Sequence, residues 1–248
     1  MKIIGVIPAR YASSRFPGKP IADICGKPMI WWVYHQAIKV SQFNGDVYIA
    51  TDDKRIEDVC IKFDMNVFMT NSKHPTGTDR TAEVAEKIKA DFYVNIQGDE
   101  PLLSDDIIYK VIPYLLEGKA EVTNLMSKIK DPIDFINPTV PKVLVNNENI
   151  GVYLTRAGAP YPKGSIDYDI YKQVCVYGFS RNALLFFKNQ PRGRLENIED
   201  IEILRFIECG YKVQFIEIEN TSIAVDTEKD LEKVKTIITN RLGRCNEN

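Results

Sequence analysis

Lys2-Ile-Ile-Gly-Val-Ile7, followed by Pro8-Ala-Arg-Tyr-Ala-Ser-Ser-Arg-Phe-Pro-Gly-Lys-Pro20, is the stretch on which the reading of this chain turns. Residues 2–7 form a short apolar run that Pro8 ends, which is the pattern of a strand. The loop after it carries Arg10, Arg15 and Lys19, no acidic residue, and several small residues that let backbone N–H groups approach a ligand. Cations without acidic neighbours, placed just after a first strand, suit a polyphosphate, because fixed positive charge stabilises the charge that builds on phosphorus and on departing phosphates. The loop is not a P-loop, since Gly18-Lys19 runs into Pro20 and the upstream glycine is missing. The plain alternative is a solvated basic turn, although a turn of this length ordinarily carries an acid.

Outward from this stretch, strand and helix signals alternate. Residues 28–40 read as a helix, 46–50 as a strand, 53–63 as a helix and 66–69 as a strand. A helix over 78–88 opens on a threonine cap, 92–96 is a strand, a helix runs from Ser104 through Leu116, and 122–126 is a fifth strand. This β-α-β-α rhythm predicts a mostly parallel sheet with helices on both faces. Such sheets bind ligands at the carboxyl ends of their strands, so the loops after Ile7, Met69 and Ile96 are where a site belongs.

The rhythm changes after about residue 130. Stretches 140–145, 151–155 and 173–179 are strand-like with no helix between them. Helices over 182–188 and 197–209, a strand over 213–218 and a final helix from Thr227 follow. Residues 130–180 thus read as a β-rich insertion in a single domain spanning 1–248, with no Ser/Gly linker or repeat to separate two tethered units.

Composition narrows the class. The 248 residues carry 32 Lys+Arg against 34 Asp+Glu, a net charge of −2, which excludes a strongly basic nucleic-acid scaffold and an acidic disordered chain. No apolar run approaches the roughly 20 residues of a membrane span, and Met1 leads into strand-like sequence rather than a signal peptide. The five cysteines are scattered without a CxxC, so neither a disulfide framework nor a cysteine-rich zinc site is expected. His35 and His74 are the only histidines, too few for a histidine-rich metal site. The expectation is a soluble, reduced, cytoplasmic protein.

Two acidic positions stand out. Asn95-Ile-Gln-Gly-Asp-Glu-Pro101 follows the fourth strand and delivers Asp99 and Glu100 into a turn, where they would face a divalent cation or simply lead into a helix cap. Asp226, in Ala224-Val-Asp-Thr227, is a helix N-cap or a second metal ligand; spacing does not show that it meets Asp99. His74-Pro-Thr-Gly-Thr-Asp-Arg80 opens a helix, and its glycine and hydroxyls would shape a base or ribose pocket. His35, beside Trp31 and Trp32, reads as structural. Residues 195–205 read as one acidic amphipathic helix with mostly solvated carboxylates, Glu199 and Glu202 sharing a face at i and i+3. No Ser/His/Asp or Cys/His constellation calls for a protein nucleophile.

Taken together, PAR-Y-x-S-x-R-x-PGKP, the GK-P-M-I helix, ATDD at 50–53, H-x-x-GT-D-R, N-x-QGDEP, N-P-x-x-x-KV, Y-x-x-RA at 153–157, V-Y-G and V-D-T-x-x-DLE resemble the CMP-KDO synthetases (3-deoxy-manno-octulosonate cytidylyltransferases) in order and spacing, from Ile4 to about Val234. The resemblance implies a Rossmann-like nucleotidyltransferase fold, α/β with a mixed, mostly parallel sheet and a β-rich dimerisation insertion. It implies a Mg²⁺-dependent homodimer that converts CTP and an acidic sugar into a CMP-sugar and pyrophosphate for lipopolysaccharide or surface-glycan synthesis. By position, Arg10, Arg15 and Lys19 would hold the triphosphate, and Pro8, Ala9, Thr78 and Arg80 would border the cytidine. Asp99 and Asp226 would bind Mg²⁺; Gln97, Arg156, Gln173, Tyr177 and Glu202 would line the sugar site, Arg156 as partner of the sugar carboxylate.

The chain departs from the family pattern in Gln173-Val-Cys-Val-Tyr177-Gly178, where the family has histidine in place of Gln173 and glycine in place of Cys175, and at Pro141. Glutamine can donate and accept hydrogen bonds as histidine can, but it carries no charge and its reach differs. The nucleotide half is intact while the acceptor half differs, so a modified KDO such as an amino-substituted form, or another acidic acceptor, is the alternative consistent with the chain. A non-catalytic nucleotide-binding homologue is the remaining alternative; the retention of Lys19 and Asp99 argues against it.

Overall fold

The structure is a computed structural model that describes residues 1–12, 16–164, 169–219 and 222–245. Strands are β1 (Ile3–Ala9), β2 (Asp23–Ile24), β3 (Lys27–Pro28), β4 (Val47–Thr51), β5 (Val67–Met69), β6 (Phe92–Ile96), β7 (Val122–Lys128), β8 (Lys142–Val145), β9 (Gly151–Thr155), β10 (Tyr171–Ser180) and β11 (Val213–Glu217). Helices are α1 (Met29–Ala37), α2 (Lys54–Lys62), α3 (Gly77–Lys87), α4 (Asp105–Tyr109), α5 (Ile112–Leu116), α6 (Pro132–Ile136), α7 (Arg181–Asn189), α8 (Arg194–Glu199), α9 (Leu204–Glu208) and α10 (Glu228–Cys245).

The main sheet runs β11-β7-β10-β6-β1-β4-β5, with β8 paired to β10 and β9 to β8. Pairs β1/β4, β1/β6, β4/β5 and β7/β11 are parallel, while β10 lies antiparallel between β6 and β7. The predicted mixed, mostly parallel α/β sheet is therefore what forms. Alternation along β1 builds two cores. Ile3 and Ile7 pack with Ile30 and Val33 of α1 and Ile56 of α2 on one face. Ile4 and Val6 pack with Ala82 and Ala85 of α3 and Leu184 and Phe187 of α7 on the other. A third cluster seats Leu231, Val234 and Ile238 of α10 on Ile24 and Met29.

Two expectations need correction. The helix expected over 104–116 is two short ones, because Pro113 lacks an N–H and its ring crowds the carbonyl four residues back. The helix expected over 197–209, with its acidic stretch 195–205, is also two helices, α8 and α9, interrupted where Asp200 takes a left-handed conformation at φ 50°. The β-rich region 130–180 also contains α6, ahead of its strands; Asp131 caps this helix through a bond from the Ile133 N–H, and it starts on Pro132. The region's strands β8 and β9 extend the main sheet through β10 rather than forming a sheet apart. On its β7 side, β10 shifts register between Val174 and Tyr177. At that irregularity the Asn124 amide donates to the Val174 and Val176 carbonyls; on the opposite side the regular β6 pairing continues as the Gln97 N–H donates to the Cys175 carbonyl at 3.3 Å, tying the loop after β6 to β10.

Candidate active site

The carboxyl ends of β1 and β6 and the N-terminus of α3, which follows β5, converge on a cavity of about 360 Å³. These are the three loops the sequence pattern selects. Pro8, Ala9, Arg10 and Lys19 come to its wall from the first loop, Gly77 from α3, and Gln97, Gly98 and Asp99 from the end of β6. Close approach explains Gly98: a Cβ there would sit 3.0 Å from the Pro8 carbonyl oxygen, so a larger residue would force the two strand ends apart.

Lys19 is the electrostatic centre of the cavity. Gly18 turns the chain at φ 72°, and the Lys19 ammonium then lies 2.6 Å from Asp99 Oδ2 and 3.7 Å from Asp226 Oδ1. The two aspartates, far apart in sequence, are held together by a bond from the Val225 N–H to the Asp99 carbonyl at 2.8 Å. Asp226 is not the cap of α10. Thr227 does that work: its Oγ1 accepts from the Asp230 N–H at 3.3 Å while its N–H donates to Asp230 at 3.1 Å. Nor is Lys19 an unpaired cation, as the acid-free loop suggested, because its acidic partners arrive from two other segments. Arg10 is exposed and donates to the Pro75 carbonyl at 2.7 Å, and Arg15 lies outside the described residues.

Two carboxylates arranged around one positive charge are a donor set suited to Mg²⁺, a hard cation that commonly takes one or two carboxylates and fills its other positions with phosphate oxygens and water. Glu100, next to Asp99, is not on the cavity wall. Its side chain is buried, and desolvation first, with the charge of Asp99 second, pushes its carboxyl up to about 7.

Glu202 reaches the cavity from the link between α8 and α9 and accepts from the Gly77 N–H at 3.1 Å and the Thr78 N–H at 2.8 Å. Its carboxylate therefore satisfies the first amides of α3, while Thr76 caps the same helix by accepting from the Asp79 N–H at 3.1 Å. Thr78 is buried, as is Arg80, which bonds Thr70 and lies 3.1 Å from Asp52. Burial lowers the Arg80 pKa, with Asp52 opposing the effect.

Of the residues expected at the sugar, Gln97 and Glu202 line the cavity, whereas Arg156, Gln173 and Tyr177 are not on its wall. The Arg156 guanidinium donates to the carbonyls of Glu199 at 2.6 Å, Pro138 at 3.0 Å and Asp200 at 3.0 Å. Gln173 donates to Asn124 Oδ1 at 2.9 Å, and Tyr177 is buried, which pushes its phenol well above the usual value.

A cytidylyltransferase family model matches residues 4–219. A 3-deoxy-manno-octulosonate cytidylyltransferase of Trichlorobacter lovleyi is 40% identical over 95% of this chain and 98% of its own length. The chain belongs to the 3-deoxy-manno-octulosonate cytidylyltransferases. An Escherichia coli member is 35% identical over 98% of both chains. Among solved structures, a CMP:2-keto-3-deoxy-manno-octonic acid synthetase complexed with CTP superposes with a TM-score of 0.92 at 36% identity, covering 97% of this chain and all of the other. A putative glucose-1-phosphate thymidylyltransferase from Bacillus anthracis, at 17% identity and a TM-score of 0.69, shares the fold.

Around this cytidylyltransferase cavity stands a set of residues that sequence reasoning missed. The expected solvated carboxylates of 195–205 are mostly engaged. Glu196 is fully buried against Arg205 at 2.7 Å, and Arg205 also bonds Asp79 at 3.0 Å. Glu199 accepts from Tyr153, Thr155 and the Arg156 N–H. Glu199 and Glu202 do not share a helix face, because the turn at Asp200 sends them to different partners. Glu196 and Arg205 are nine positions apart and on separate helices, so no periodicity signals their pairing.

Proposed function

We propose that the protein transfers the cytidylyl group of CTP to the anomeric hydroxyl of 3-deoxy-manno-octulosonate or a close 2-keto sugar acid, releasing pyrophosphate. The observation that carries this reading is the strand-end cavity lined by Lys19 and Asp99, with Asp226 3.7 Å from the Lys19 ammonium, in a chain that follows the CTP-complexed synthetase over 97% of its residues. Lys19 and Arg10 attract and orient the phosphates, and Pro8, Ala9 and the first turn of α3, with Thr78 and Arg80, border the nucleoside. Asp99 and Asp226 would hold Mg²⁺, which when bound neutralises phosphate charge and makes the sugar hydroxyl more acidic. Gln97 and Glu202 orient the acceptor. The sugar oxygen forms a bond to the α-phosphorus, the bond from that phosphorus to the bridging oxygen breaks, pyrophosphate leaves with that electron pair, and the hydroxyl proton passes to solvent. Catalysis is positioning and charge stabilisation, with no covalent enzyme intermediate.

The setting we infer is a cytoplasmic homodimer serving lipopolysaccharide or surface-glycan synthesis; exposed Ile133 and Ile136 on α6 are consistent with an interface in the 130–180 region. A second reading, transfer to an amino-substituted KDO or another acidic acceptor, is favoured by Gln173, whose amide bonds Asn124 without a charge. Pyrophosphate release measured for four nucleoside triphosphates against a panel of acidic sugars separates these. CTP with KDO should be fastest and should need Mg²⁺; a faster acceptor sustains the second reading; no release with any CTP–sugar pair refutes both.

A further inference from the structure

Arg10 and Ala12 face the cavity, whereas Tyr11 between them is not on its wall and instead packs, half-buried, against the core beneath α1 and α2. The Tyr11 ring is held from two sides. The Arg55 guanidinium carbon stacks 3.2 Å from its centroid, and a Cβ added at Gly18 would lie 3.3 Å from the ring. The Tyr11 carbonyl also accepts from the Gly18 N–H at 2.9 Å, closing the loop on the residue before Lys19. Arg55 is itself fixed: it forks onto Asp53 through Nε at 2.8 Å and Nη2 at 2.6 Å, and Asp53 caps α2 by accepting from the Arg55 N–H at 3.0 Å.

We infer that Arg55 is a positioning residue for the nucleotide: by clamping Tyr11 from the outside, it holds the first loop so that Arg10 and Lys19 face the cavity. Its guanidinium is committed to Asp53 and to the ring face, so it acts through the loop and does not itself take a phosphate. A planar guanidinium suits this place because it can stack on the ring and fork onto a carboxylate at once, which an ammonium cannot. The inference rests on the proposed use of the cavity for CTP, and the experiment keeps the two apart.

Arg55 is mostly exposed at its side chain, so its replacement leaves the fold intact. Loss of an exposed cation–aromatic contact corresponds to about a three- to fivefold change in an equilibrium. In Arg55→Ala, the exchange rate of the Gly18 amide and the KM for CTP should each rise by about that factor, with kcat within about twofold and the acceptor KM unchanged. Arg55→Lys, which keeps a cation over the ring but loses the fork, should fall between wild type and Arg55→Ala. Unchanged Gly18 exchange means that no clamp exists and overturns the inference; faster exchange with an unchanged KM for CTP overturns the positioning role; so does a fall in kcat without a KM change. If the wild type turns over no CTP–sugar pair, the proposed function fails. In that case nucleotide affinity by calorimetry replaces KM, and equal affinity of wild type and Arg55→Ala overturns the inference.

Discussion

Replacing Arg205 with methionine should remove more stability than any single change at the cavity wall. Arg205 is 2% exposed and meets two carboxylates that are equally buried, Glu196 at 0% and Asp79 at 6%. It donates to Glu196 through Nε at 2.7 Å and Nη2 at 2.7 Å, to Asp79 at 3.0 Å, and to the Phe187 carbonyl at 3.2 Å, with its guanidinium carbon 3.7 Å from the Phe187 ring centroid. Methionine fills much of the volume but leaves Asp79 without its cation and Glu196 with only the partly exposed Arg192, 3.2 Å away. Breaking a buried pair in this way costs about 3–5 kcal/mol. For a domain of this size each kcal/mol lowers Tm by roughly 2–4 °C, so a fall of about 6–20 °C is expected. Urea unfolding followed by the fluorescence of Trp31 and Trp32 should give the same loss with an unchanged slope. Adding Glu196→Gln and Asp79→Asn removes the stranded charges and should recover a good part of the loss. A cost below about 1 kcal/mol for Arg205→Met, or no recovery in the triple variant, would show that the network is not the strut between α3 and α9 that its geometry describes.

The remaining predictions concern the site and its surroundings. Asp99→Asn should lower kcat by about 100-fold or more while Tm stays within a few degrees, since Asp99 stands at the cavity wall and not in the core; near-normal turnover would remove it from the metal site. Glu202→Ala should cost about 1–3 kcal/mol, because two charge-assisted bonds to the first amides of α3 disappear, and Glu202→Gln should lose less; equal losses in the two would mean that the carboxylate has no special role there. His35 has its pKa lowered, chiefly by burial, with the Trp31 carbonyl opposing and Lys27 and Lys39 adding to the effect. The unfolded chain therefore takes up a proton first, so the stability contributed by the neutral ring is full above about 6.5 and is lost as pH falls through the lower folded value. His35→Gln should shrink the difference in urea midpoint between pH 7.5 and pH 5, and an unchanged difference would contradict the sign.

What the chain revealed directly was whatever local rules govern. The apolar run of β1, the alternation of strand and helix through β7, and three loops at strand ends all follow from periodicity and punctuation, which depend only on neighbours in sequence. The loop motif and N-x-QGDEP were legible for the same reason: each places its chemistry within a few residues of a strand end. Boundaries that failed did so for nameable causes. Pro113 divided the helix over 104–116, and the left-handed Asp200 divided the helix over 197–209.

Tertiary structure alone decided how charges pair. Within 8–20 the cations have no acid beside them, yet Lys19 is flanked by Asp99 and Asp226 because the ends of β1 and β6 and the entry to α10 meet in space. The acidic run 195–205 has the composition of a solvated face, yet Glu196 is buried by Arg205, Glu199 is taken by Tyr153, Thr155 and Arg156, and Glu202 caps a helix that starts 125 residues earlier. A carboxylate's identity is local, but its partner, exposure and proton affinity are set by whichever segments the sheet order brings alongside it, and no spacing rule in the sequence encodes that order.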